Sequence, residues 1–210
     1  MSFRGGYGLH HMPSDLEPAA KNLATLVIGV ADDQLELPTP CPDYRVGDLL
    51  DHIASLARVF TWAAAKDLVA LENRPGLGDA ARLAADWRVQ IPPALDGMAA
   101  AWSDPAAWEG MSRVGAADTP GEVCGAIGLE ELVVHGWDIA RSTGQEFHLD
   151  RASLEAALVA LRMFQPPGAD PAPGSPFGRE VALPDDAELL DRVVALSGRN
   201  PEWAPPEESA

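Results

Sequence analysis

Glu131, His135 and Asp138 stand four and three residues apart in the run ELVVHGWDIA (131–140), and His52 lies in LLDHIASL (49–56). Two imidazoles and a carboxylate are ligand types for a divalent transition ion. Three protein ligands leave a position open for water or substrate, which is the catalytic arrangement and not the closed structural one. On a helix, spacings of four and three bring Glu131, His135 and Asp138 to one face, whereas Glu130 is rotated by about 100° and pairs with Val134 instead. Leu49 and Leu56 flank His52 at helical spacing, which puts the ring on or beside the buried stripe of its own helix. A buried carboxylate is costly alone and is normally paired or metal-bound. The same spacings also suit a solvated Glu–His face and a hydrogen-bonded core His52.

Around this set, Asp138 is placed to accept a hydrogen bond from a ligand and so orient it, or else to pair with Arg141 or cap local backbone. Arg141 is a candidate for holding a cofactor or a substrate carboxylate, against an ordinary surface pair. Trp137 points away from the ligand face, toward the core. Cys124 precedes Glu131 by two turns on roughly the same face, but about 10.5 Å of helix is too far to share one ion without distortion. The chain has no HExxH, GxxxxGK[ST] or GxSxG pattern.

These residues need long helices to hold them, and the dominant periodicity is helical. Ser14 and Glu17 form a capping-box pattern before a first helix reaching about residue 32. LPTPCPDY (37–44) is proline-rich and must be an extended connection. A second helix is predicted over Val46–Leu71. A third helical region, about 79–103, is interrupted at Pro92-Pro93, predicting a kink or two helices. Residues 104–119 lack a helical period and suit a short hairpin or an irregular loop. A fourth helix runs from Pro120 to Thr143 with Gly144 as its C-terminal stop. Asp150 or Ser153 caps a fifth helix ending near Phe164. The Pro- and Gly-rich stretch 165–180 is a loop or linker, and a last helix over 185–197 ends at Gly198. The expected architecture is an all-α antiparallel four-helix bundle with extra C-terminal helical segments. Its body spans 12–165, a loop 166–184 and a packed C-terminal helix 185–203, with 1–11 and 204–210 disordered.

Composition narrows the function. The chain has 210 residues, is 47% hydrophobic and carries a formal net charge of −17. So acidic a surface repels phosphate backbones, which disfavours nucleic-acid binding. No apolar run of about 18 residues is present to span a membrane, and the N-terminus lacks a signal-peptide core, so a cytoplasmic location is expected. His10 and His11 precede Met12, an alternative start, and His148 is expected at the surface. Cys41 and Cys124 are too few for a disulfide framework and read as buried free thiols.

Three stretches, TPCPDYRVGDLLDHIA (39–54), ELVVHGWDIARSTG (131–144) and FGREVALPDDAELLDRVVALSGRNPEW (177–203), carry a family resemblance. Together they resemble the DinB-like metal-binding proteins related to the N-terminal domain of mycothiol-dependent maleylpyruvate isomerase. The resemblance covers nearly everything after Met12. It implies a four-helix bundle holding a divalent metal, usually zinc, on His52, Glu131 and His135. The more distant relatives have a third histidine where this chain has Glu131. Nickel and iron also suit the donor set. The isomerase carries a further C-terminal domain that helps build its active site. Here the chain closes with a proline-rich loop and one short helix, so what carries over is the metal site and the use of a thiol, and maleylpyruvate is not the expected substrate.

The resemblance implies a mycothiol-like thiol as cofactor and a transferase or isomerase reaction, in which a metal-bound thiolate attacks an electrophilic substrate. The alternatives are a non-catalytic module that binds or senses metal or thiol, and a metal-dependent hydrolase. A monomer or a homodimer is compatible with the sequence.

Overall fold

The computed structural model describes residues 15–74, 76–115, 117–171 and 177–206. Ser14, His10, His11 and Met12 lie outside them, as do 207–210. Four long helices supply the frame: α1 (Glu17–Gly29), α2 (Val46–Ala65), α4 (Trp87–Trp102) and α6 (Gly121–Thr143). Each buries a stripe at helical spacing, such as Leu23, Leu26 and Val27 on α1 and Leu49, Ile53, Leu56 and Phe60 on α2. The stripes meet in a ring of contacts in which α1 and α2 each touch both α4 and α6. Burying each large apolar side chain contributes on the order of 1.5–3 kcal/mol. Among the described residues the fold is all-α apart from one small hairpin, β1 (Met111–Val114) antiparallel to β2 (Ala117–Pro120).

The connections follow local chemistry. Lys66 adopts a left-handed conformation (φ 55°) that stops α2 at Ala65. Asp67 then accepts the Ala70 N–H at 3.0 Å and starts the short α3 (Leu68–Glu72). The single helix expected over Val46–Leu71 is therefore two. The third region also differs from expectation. Residues Ala80–Arg82 form one 3-10 turn, and α4 starts only at Trp87, then runs as one helix through Pro92 and Pro93. Leu83 is extended (ψ 121°) and separates the turn from α4, while Asp51 and Asp48 of α2 accept the Asp79 N–H (3.0 Å) and the Ala80 N–H (2.8 Å). A four-residue helix, α5 (Pro105–Trp108), precedes the hairpin.

Gly144 (φ 71°) ends α6 in the left-handed conformation that glycine adopts without strain. Asp150 accepts the Ser153 N–H at 3.0 Å and caps α7 (Arg151–Phe164), which packs on α6. The last helix, α8 (Leu189–Leu196), is shorter than the sequence predicts and packs on α7. Gly198 (φ 85°) turns the chain back so tightly that a Cβ there would meet the Gly178 backbone at 2.4–2.6 Å. No helix among the described residues is long and apolar enough to cross a membrane.

Candidate metal centre

Helix α6 is a central element: seventeen of its 23 residues are buried. Its second half faces α2 and brings Glu131 and His135 to His52. His135 Nε2 lies 3.0 Å from Glu131 Oε2, and His52 Nε2 lies 3.9 Å from the same oxygen. The imidazole centroids are 5.1 Å apart, nearly edge to face. One ligand atom from each residue falls within 4.8 Å of the others. Ligand atoms about 2.0–2.1 Å from a tetrahedral zinc stand roughly 3.3–3.5 Å from each other. The observed spacings bracket that separation, so two nitrogens and an oxygen converge where an ion of that size fits.

Behind His135, Asp138 is fully buried, and its Oδ2 meets His135 Nδ1 at 2.9 Å. The same oxygen accepts from Arg199 Nη2 at 3.1 Å. An ionised carboxylate only accepts, so His135 Nδ1 donates and Nε2 is directed at the cluster. Burial works against a charged His135, but Asp138 and Glu131 outweigh it and raise its pKa to about 9. Burial likewise opposes ionisation of Glu131, yet the bonds to His135 and His52 hold its carboxyl well below the usual range. A divalent ion at this spot must displace the proton from His135 Nε2.

The mouth of the cluster is shaped by the loop after α3. The Tyr44 ring packs 5.0 Å from the His52 ring, and its hydroxyl accepts the Gly78 N–H at 3.4 Å. Gly78 comes so close that a Cβ would meet Asp48 O at 2.3 Å and His52 Cβ at 2.9 Å. Arg82 Nη2 bonds Asp51 Oδ2 at 3.0 Å and fastens this loop to α2.

Other sequence candidates lie elsewhere. Arg141 is not brought to the cluster; its Nε donates to the Trp203 carbonyl at 3.1 Å, and its guanidinium lies over the Trp137 ring. Asp138 therefore pairs with Arg199, not Arg141. Cys124 is buried against the Thr119 carbonyl at 3.7 Å and is not in the ligand group. His148 is exposed beside Glu146.

Three contributors were missed. Arg199 lies 61 residues from Asp138, beyond the reach of helical spacing; its motif GRNPEW was the only signal. Tyr44 closes the PCPDY motif (40–44), and its place beside the cluster shows only through its contact with His52. Glu130, set aside as off the ligand face, is 4% exposed. Burial and the neighbouring Glu131 push its carboxyl up to about 8.

The all-α fold, with a His/Glu/His cluster between two long helices, is consistent with a DinB-like protein, and the family comparison agrees. The mycothiol maleylpyruvate isomerase N-terminal domain matches residues 16–140. The chain belongs to that family. Two relatives, uncharacterized proteins of Mycobacterium tuberculosis strains CDC 1551 / Oshkosh and ATCC 25618 / H37Rv, are each 32% identical over 178 residues. The aligned part is 84% of this chain and 91% of each relative. No solved structure matches the chain.

Proposed function

We propose that this protein binds one divalent metal, zinc, through His52, Glu131 and His135, and acts as a thiol-dependent transferase or isomerase. The observation that carries the reading is the convergence of three ligand atoms within 4.8 Å at the α2–α6 interface. Family membership supports a mycothiol-like thiol as the cofactor. A divalent ion held by these residues would lower the pKa of a thiol bound to it and favour the thiolate near neutral pH.

The chain's own residues divide the remaining work. Asp138 fixes the His135 tautomer, so Nε2 presents its lone pair. Glu131 brings one negative charge, which favours a cation over a bare pair of imidazoles. Tyr44 and the Gly78 loop wall the His52 side and limit what reaches the cluster. The second substrate is a small electrophile that accepts the thiolate sulfur.

The test uses cobalt(II)-loaded protein, whose absorption reports its ligands. Mycothiol should add a thiolate-to-cobalt charge-transfer band in the wild type, absent from His52→Ala. A loaded protein whose spectrum ignores the thiol contradicts the thiol part of the reading and leaves a metal-binding module.

A further inference from the structure

We propose that Arg199 is a positioning residue for the metal centre, acting through Asp138 on His135, so that docking of the C-terminal segment 177–203 and retention of the metal are coupled. The inference rests on the metal-binding reading above. It concerns a residue that lies beyond the family match of 16–140.

Charge burial is the first ground. Asp138 is 0% exposed and Arg199 8%. Ions this deep lose hydration worth several kcal/mol each, and they persist only with good geometry and further hydrogen bonds. Both conditions hold. Arg199 reaches Asp138 through two nitrogens, Nη2 at 3.1 Å and Nε at 3.4 Å, while Nη1 donates to the Ser197 carbonyl at 3.3 Å.

Convergence on one atom is the second. His135 and Arg199 both address Asp138 Oδ2. The guanidinium therefore sets where that oxygen sits, and the oxygen sets the orientation of the imidazole. Without Arg199, Asp138 keeps one partner, and its carboxylate is free to rotate with the ring.

The third ground is the way the backbone delivers Arg199. Its N–H bonds Val194 O at 3.2 Å, past the tight turn at Gly198 that crosses Gly178. Val181 N–H bonds Ala195 O at 3.0 Å, tying the incoming stretch of the segment to α8. Arg141 holds the far end at Trp203 O. The segment is thus fastened on both sides of Arg199 and presents the guanidinium in one place. Coupling between two binding events is reciprocal. A docked segment that slows metal loss must itself be held more firmly when metal is present.

Two measurements test this. Transfer of zinc to a chelator is timed for wild type, Arg199→Met and Arg199→Lys, with folding checked by circular dichroism. Amide hydrogen exchange in 177–203 is compared for metal-loaded and metal-free wild type. Loss from Arg199→Met should be about 10–100-fold faster, the usual cost of removing a residue that orients a metal ligand, with Arg199→Lys in between. The loaded wild type should exchange more slowly in 177–203. If Arg199→Met does not fold, the wild-type exchange comparison decides alone. Wild-type loss rates in folded Arg199→Met, or exchange indifferent to metal, overturn the coupling and leave the metal reading standing. A wild-type chain that takes up no metal overturns both.

Discussion

One helix, α6, is packed in two different ways along its length. Its first half is fitted by size. Gly125 faces the Trp108 and Trp102 rings so closely that a Cβ would sit 2.6–2.8 Å from them, and Gly128 faces Phe60 and Met98 at 3.0 Å. Trp102 Nε1 bonds Phe60 O and Trp108 Nε1 bonds Trp102 O, so even the indole donors are spent locally (2.9 and 2.8 Å). The second half is fitted by charge: Glu130, Glu131, His135 and Asp138 are gathered within nine residues, with Arg199 brought against them. Apolar burial holds the first half without help. The second half buries charges that Arg199 and the hydrogen bonds among its own side chains match. Apolar fit distinguishes one half and buried charge the other.

Variants can separate the halves, and the ligands should show the largest effect. His52→Ala, Glu131→Ala and His135→Ala should each abolish stoichiometric metal while leaving the helical circular dichroism signal intact; elemental analysis beside the spectrum checks both. Next comes Gly125→Ala, which drives a methyl into two indoles and should lower stability by about 1–3 kcal/mol. Metal per folded chain should not change. Denaturant titration of loaded and metal-free forms separates the two effects.

The pH response of the metal-free protein should be smaller and specific to the second half. Glu130, raised to about 8, keeps its proton in the folded chain after the unfolded chain has lost it, so stability falls as pH climbs from 4.5 to about 8. The stabilisation from His135 is fully present below 6.5 and is lost as pH rises to about 9. Metal-free protein should therefore weaken steadily between those limits. Metal loading should flatten the His135 part, and Glu130→Gln the rest. Thermal melts across that range check the slope. The smallest effect belongs to Arg141→Ala, which removes an exposed tie to Trp203 and should shift stability by no more than about 0.5 kcal/mol, leaving the metal stoichiometry unchanged.

What was legible in the sequence is what one helix encodes by itself. Glu131, His135 and Asp138 share a face because three and four residues approximate one turn, and Gly144 and Asp150 announce a helix end and a helix start. Features that depend on another part of the chain were hidden. Lys66 breaks α2 in a left-handed conformation that nothing in its side chain advertises. Spacing turns Glu130 away from the ligand face, but it does not show that α6 is enclosed on nearly every side and buries that carboxyl too. Arg199 reaches Asp138 across 61 residues, a distance no periodicity spans.

The most direct test of the central claim is elemental analysis of untagged protein purified without metal-affinity resin, beside Glu131→Ala. One divalent ion per chain in the wild type and none in the folded variant is the predicted result. No metal in the wild type, even after incubation with zinc, would contradict it and leave the His/Glu/His cluster as a buried hydrogen-bonded group.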